Sequence, residues 1–83
     1  MIICYLSFGK GDLAIIHMQN DIENGKTALI YIPEEKIITI KKVIKNENGY
    51  ELYSMNPNIP IDKKTNVKIL GRVIKSQSEN AFD

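Results

Sequence analysis

The sequence predicts a mainly β fold: a small, mostly antiparallel, coiled β-domain. Three observations lead there. Apolar residues fall in short runs rich in Ile, Val, Tyr and Thr. Turn residues punctuate those runs at fairly even spacing. No stretch sustains a 3.6-residue apolar period, which argues against a substantial helix.

Taken in order, the first strand spans Ile2–Leu6. Gly11-Asp12 then launches a second at Leu13–Met18, with Asp12 fixing the turn through nearby backbone amides. The polar loop "QNDIENG" (19–25) closes on Asn24-Gly25, and a third strand covers Thr27–Ile32. Pro33, which fixes φ and removes a ladder donor, makes a tight connection with Glu34 and Glu35, two acids expected in water. A long fourth strand follows at Lys36–Lys45. Asn48-Gly49 predicts a type I′ hairpin turn, since both residue types tolerate positive φ. Tyr50–Ser54 returns as the fifth strand. "NPNIPID" (56–62), with two prolines, is read as extended and irregular. Val67–Lys75 is the closing strand. Residues 1–76 thus form one domain, and 77–83 a polar tail that stays loose unless Phe82 docks.

The fourth strand, "KIITIKKVIKN", admits two lysines into an apolar run. Alternation puts Ile38, Ile40, Lys42 and Ile44 on one face and Ile37, Thr39, Lys41 and Val43 on the other. One ammonium must therefore project from whichever face is buried. A reactive amine would need a dry site to lower its pKa; an ordinary one lays its stem along the sheet and reaches water.

Eighty-three residues make one small domain with a modest core, burying roughly 60–65% of the unfolded surface. Cys4 is the only cysteine and His17 the only histidine, so there is neither an internal disulfide nor a zinc set. No cofactor or metal is expected, and His17 reads as a core or rim residue. A partner subunit is the natural further source of stability. No stretch approaches transmembrane length, and a reduced, cytoplasmic setting is the expectation. Net charge is +1, yet nine basic residues stand against three acidic ones between Lys36 and Lys75. Such a stripe is ordinarily the solvated face of strands; a nucleic-acid surface stacking bases on Tyr31, Tyr50 and Tyr53 is the competing reading.

The order of segments carries more. A Gly-Asp launches a strand, a polar loop and second glycine launch another, and "TIKKV" is followed by a hairpin, an Asn-Pro, an "IPI" stretch and "ILGRV". Over residues 9–76 this resembles the C-terminal peptidase domain of LexA-type and phage repressors, serine–lysine peptidases of the signal-peptidase-like fold. The resemblance implies a serine attacking a peptide carbonyl while a neutral lysine takes its proton, and it assigns the lysine position to Lys41. It also implies that the serine sits near Ile3, where the sequence has Ile2, Ile3 and Cys4. Ser7 is the remaining candidate; Cys4, in an apolar run, has the wrong setting for a thiolate. Nor does the chain contain the Ala-Gly or Cys-Gly bond at which this family cuts itself, or the DNA-binding helices that precede its peptidase part. The chain therefore resembles such a domain truncated at the N-terminus.

The expectation that follows is a non-catalytic domain serving as a dimerisation or partner-binding module in transcription regulation, as a homodimer or paired with a related repressor, with no direct nucleic-acid contact. By resemblance its interface uses the closing strand: Val67, Ile69, Leu70, Val73 and Ile74. An exposed-edge role for that strand competes, with its lysines guarding against aggregation. The enzymatic alternative is a self-cleaving peptidase using Ser7 and Lys41. With the serine gone, Lys41 is expected to be an ordinary exposed amine.

Overall fold

The computed structural model describes residues 2–7 and 13–77, the last three by backbone alone. Seven strands form one antiparallel sheet: β1 (Ile3–Leu6), β2 (Leu13–Met18), β3 (Lys26–Ile32), β4 (Ile37–Asn46), β5 (Gly49–Tyr53), β6 (Asp62–Lys64) and β7 (Lys68–Gln77). Their order across the sheet is β1-β2-β7-β3-β4-β5-β6. None of the described residues is helical. The mainly β, antiparallel class read from the sequence is the class observed; Asp12 and its turn lie outside the described residues.

Two cores sit on opposite faces of this sheet and meet at β3. Ala28, Ile30 and Ile32 join Val43, Leu52, Val67 and Ile69 in the larger one. Leu29, pointing the other way, joins Ala14 and Ile16, with Leu6, Ile40, Leu70 and Val73 packed around them. A strand covered on both faces has no room for polar alternation, which is why "TALIYI" reads as a continuous apolar run.

The closing strand departs most from expectation. β7 is an interior strand, paired with β2 on one side and β3 on the other, so the exposed-edge reading does not hold. It also carries two bulges. The register steps from Leu29↔Gly71 to Ile30↔Ile69, leaving Leu70 extra, and from Ile15↔Lys75 to Ile16↔Val73, leaving Ile74 extra. Each bulge re-aims the side chains that follow. Val67, Ile69 and Gly71 therefore do not share a face as simple alternation would have it.

The connections also differ in detail. At the β4–β5 hairpin Asn46 pairs with Gly49, so the corner is Glu47-Asn48, one residue earlier than the expected type I′ turn. Asn48 does not take a positive φ; its amide donates to Asn46 Oδ1 at 2.9 Å, an Asx turn that supplies the bend from the side chain instead. Lys36 stands outside β4 with φ +56, closing the turn that Pro33 opens, where Lys36 N–H donates to Pro33 O at 3.3 Å. β6 was not foreseen. It has no apolar residue to show periodicity and is held by its ladder to β5, where Lys63 lies opposite Glu51.

Loop 19–25 is fastened to the same hairpin. Asn24 takes the place of a strand residue, its side chain donating to Lys45 O at 3.1 Å and accepting from Lys45 N at 2.9 Å. Gly25, at φ +88, donates its amide to Val43 O at 2.9 Å. This loop and the β4–β5 hairpin thereby become two walls of one opening.

Candidate functional site

The ladder registers settle where the two lysines of β4 project. Lys41 lies opposite Ala28, Ala28 opposite Arg72, and Arg72 opposite His17, so these four share one row on one face. That face, two residues further along β4, carries buried Val43. Lys41 is half-buried rather than exposed as expected, and the residue opposite it on β3 is the short Ala28, which leaves room for a lysine stem along the sheet. It forms no ion pair with any other described residue.

Lys42 points from the opposite face and is exposed, its Nζ 5.8 Å from the centre of the Tyr53 ring. The Tyr53 hydroxyl donates to Glu51 Oε1 at 2.9 Å. That hydrogen bond, then partial burial, then the carboxylate's charge raise the phenol above its ordinary 10.0. Asn46 Nδ2 holds the second Glu51 oxygen at 3.2 Å.

The place where the resemblance puts a nucleophilic serine is occupied by β1. Ile3 pairs with His17 and Cys4 with Ile16, the latter half-buried beside the smaller core. Ser7, exposed, follows the strand. The end of β1 does come back to β4: Leu6 lines a small cavity of about 200 Å³ with Leu29, Ile38, Thr39 and Ile40. Leu6 belongs to the same core as Ile40, on the face opposite Lys41. His17 is a half-buried rim residue whose Nδ1 bonds Gln19 Oε1. Among the described residues no group of three or more His, Cys, Asp or Glu is placed to hold a metal.

The five residues assigned to an interface divide. Val67 and Ile69 are buried in the larger core, Leu70 and Val73 are half-buried against the smaller one, and Ile74 is 48% exposed at its bulge. β7 has both ladder edges filled, so a second subunit meets side chains there rather than extending the sheet.

Sequence reasoning missed two features. Glu35 is not merely solvated: its Oε2 lies 2.6 Å from Lys64 Nζ, and Asp62 Oδ1 lies 3.5 Å away. Glu35 above all, with Asp62, raises the Lys64 ammonium above its ordinary 10.5 against the opposing pull of desolvation. These contacts join the β3–β4 turn to β6, a distant pair that spacing alone does not reveal.

The second feature is a cavity of about 490 Å³ between loop 19–25, the β4–β5 hairpin and the start of β7. Buried Val43, Val67 and Ile69 line it together with Tyr31, Tyr50, Lys45 and Lys68. Lys45 Nζ is 6.0 Å from the Tyr50 ring centre. The tyrosines hint at such a site, but only the fold brings them together.

Residues 1–74 match the model of the peptidase S24-like family. The LexA repressor of Lacticaseibacillus casei (strain BL23) is 36% identical over 64 residues, which are 77% of this chain and 30% of that protein. The LexA repressor of Lacticaseibacillus paracasei (strain ATCC 334) matches to the same extent. The matched stretch thus spans less than a third of these relatives' length.

Proposed function

The chain belongs to the peptidase S24-like family, and from that premise we propose that it is a non-catalytic LexA-type domain, acting in transcription regulation by dimerising or by pairing with a related repressor. The observation that carries this reading is the fate of the nucleophile position. Ile3 and Cys4 stand where the resemblance calls for serine, and both are committed to the β1–β2 ladder. A base needs its nucleophile within roughly 2.6–3.2 Å. Lys41 projects from the face opposite the one on which the end of β1 meets β4. Without a serine hydroxyl to deprotonate, Lys41 is a half-buried amine opposite Ala28 with no catalytic part.

One observation favours the enzymatic alternative, in which Ser7 attacks and Lys41 is the base. Leu6, its neighbour, already lies beside Ile38, Thr39 and Ile40, next to Lys41 in sequence.

Association by a homodimer uses the same patch on both subunits. Ile74, 48% exposed at its bulge, offers the apolar centre of such a patch, with half-buried Val73 next to it in sequence. Sedimentation velocity over a concentration series is expected to show a reversible dimer by the high micromolar range. A strict monomer throughout, together with failure to bind a related repressor, contradicts the reading.

A further inference from the structure

The two edges of the sheet are built differently. β6 closes one side. It is three residues long, with Lys63 exposed and Lys64 paired to Glu35, and so carries the charges that keep an edge from recruiting another strand. β1 closes the other side without such a guard. From Ile2 to Ser7 there is neither a charge nor a proline, and Ile2 and Tyr5 are 71% and 68% exposed. Among the described residues no strand pairs with its outer side.

The ladder fixes which groups that outer side offers. Met18 N–H donates to Ile2 O at 2.9 Å, so Ile2 turns its backbone groups toward β2, and by alternation so do Cys4 and Leu6. Ile3 and Tyr5 therefore turn theirs outward. Among the described residues these outward groups meet only the long contact of Cys4 Sγ with Tyr5 O, at 4.0 Å. Such a row of donors and acceptors on an extended backbone calls for another strand. Centring an antiparallel pair on Cys4 is the register that gives both residues a partner. Ile3 then lies opposite the second copy's Tyr5, and Tyr5 opposite its Ile3, each pair exchanging both N–H···O bonds. Ile2 meets Leu6 and Cys4 meets Cys4, so every cross-strand pair is apolar.

We propose that β1 pairs antiparallel with β1 of a second copy of this chain, about a two-fold axis at Cys4, joining two sheets edge to edge. A second copy is a better occupant than a free peptide, because its β1 is already held extended by its own β2 and pairing costs little ordering entropy. The guarded β6 edge stops the assembly at a dimer. The proposal rests on the self-association reading and gives it a main-chain contact, two strands away from exposed Ile74.

Sedimentation and hydrogen exchange of the full chain test it. The Ile3 and Tyr5 amides are expected to exchange freely at low micromolar concentration and to be protected at high micromolar, with Cys4 and Leu6 protected by β2 throughout. Tyr5→Pro removes an outward donor and leaves the β2 ladder intact, while Ile3→Lys sets a charge on the edge. Each is expected to weaken association about tenfold or more. Cys4 supplies a further readout. Opposed residues of a non-hydrogen-bonded pair stand about 4.5 Å apart at Cα, within reach of a disulfide. Diamide, which takes up the two electrons and two protons, is therefore expected to cross-link the unaltered chain through Cys4 and the Tyr5→Pro chain far less. If the unaltered chain associates but both variants associate equally well, edge pairing is overturned and the association reading stands. The same holds if the Ile3 and Tyr5 amides are protected at every concentration or at none. A strictly monomeric chain also overturns edge pairing, and the wider reading falls with it if no related repressor binds.

Discussion

Gly71→Ala is expected to destabilise the domain by about 3 kcal/mol, near the upper end of what overpacking costs. A methyl group there runs into the Ile16 side chain, lies 2.8 Å from His17 O and 3.3 Å from Met18 Cα. Two of those atoms are backbone, and Ile16 is itself fully buried, so no neighbour can yield. β7 cannot move away either, because β3 holds its other edge. A domain of this length has roughly 4–12 kcal/mol of stability in all, so the loss is a large share of it. A urea midpoint lowered with an unchanged slope is the expected record. A near-neutral substitution would mean that β2 and β7 are not packed against each other at Gly71.

Gly49→Ala is the second large effect, at about 2–3 kcal/mol. Two costs combine. Gly49 has φ +131, a conformation that L side chains rarely adopt, and an added methyl would lie 2.5 Å from Lys64 O and 3.0 Å from Thr65 Cα. Gly25→Ala separates the two, since Gly25 also has a positive φ, +88, but an added methyl there meets nothing within 4 Å. It is expected to cost only about 1 kcal/mol. Paired urea titrations read the difference as the close approach of the β4–β5 hairpin to β6. Equal losses at the two glycines would place that hairpin away from Lys64 and Thr65.

How much of this was legible beforehand varies with the physical signal available. β2 through β5 announce themselves through short β-branched runs bounded by turn residues, and they form close to where expected. β6 has the sequence Asp-Lys-Lys, so apolar periodicity has nothing to read; its ladder partner makes it a strand. The bulges at Leu70 and Ile74 leave no local mark, yet they decide that Ile69 enters one core and Leu70 the other. Asn48-Gly49 correctly marks a hairpin, but Asn46 caps the bend through its side chain and moves the corner by one residue.

The site was legible in a different way. Lys41 was singled out by resemblance alone, and alternation correctly put it on the face of Thr39 and Val43. Its half-burial is not marked in β4 itself, because it arises where short Ala28 of β3 stands opposite it. The cavity at Tyr31, Tyr50, Lys45 and Lys68 gathers residues from three separate segments, and no spacing rule connects them.

The proposed reading is of a peptidase S24-like domain that keeps the family scaffold without peptidase chemistry. The most direct measurement is intact-mass analysis of the chain and of an added peptide containing an Ala-Gly bond, after prolonged incubation at mildly alkaline pH. Chain and peptide are both expected to remain whole, with Ser7→Ala and Lys41→Ala variants indistinguishable from the unaltered protein. Hydrolysis by the unaltered chain that disappears in either variant would contradict the claim.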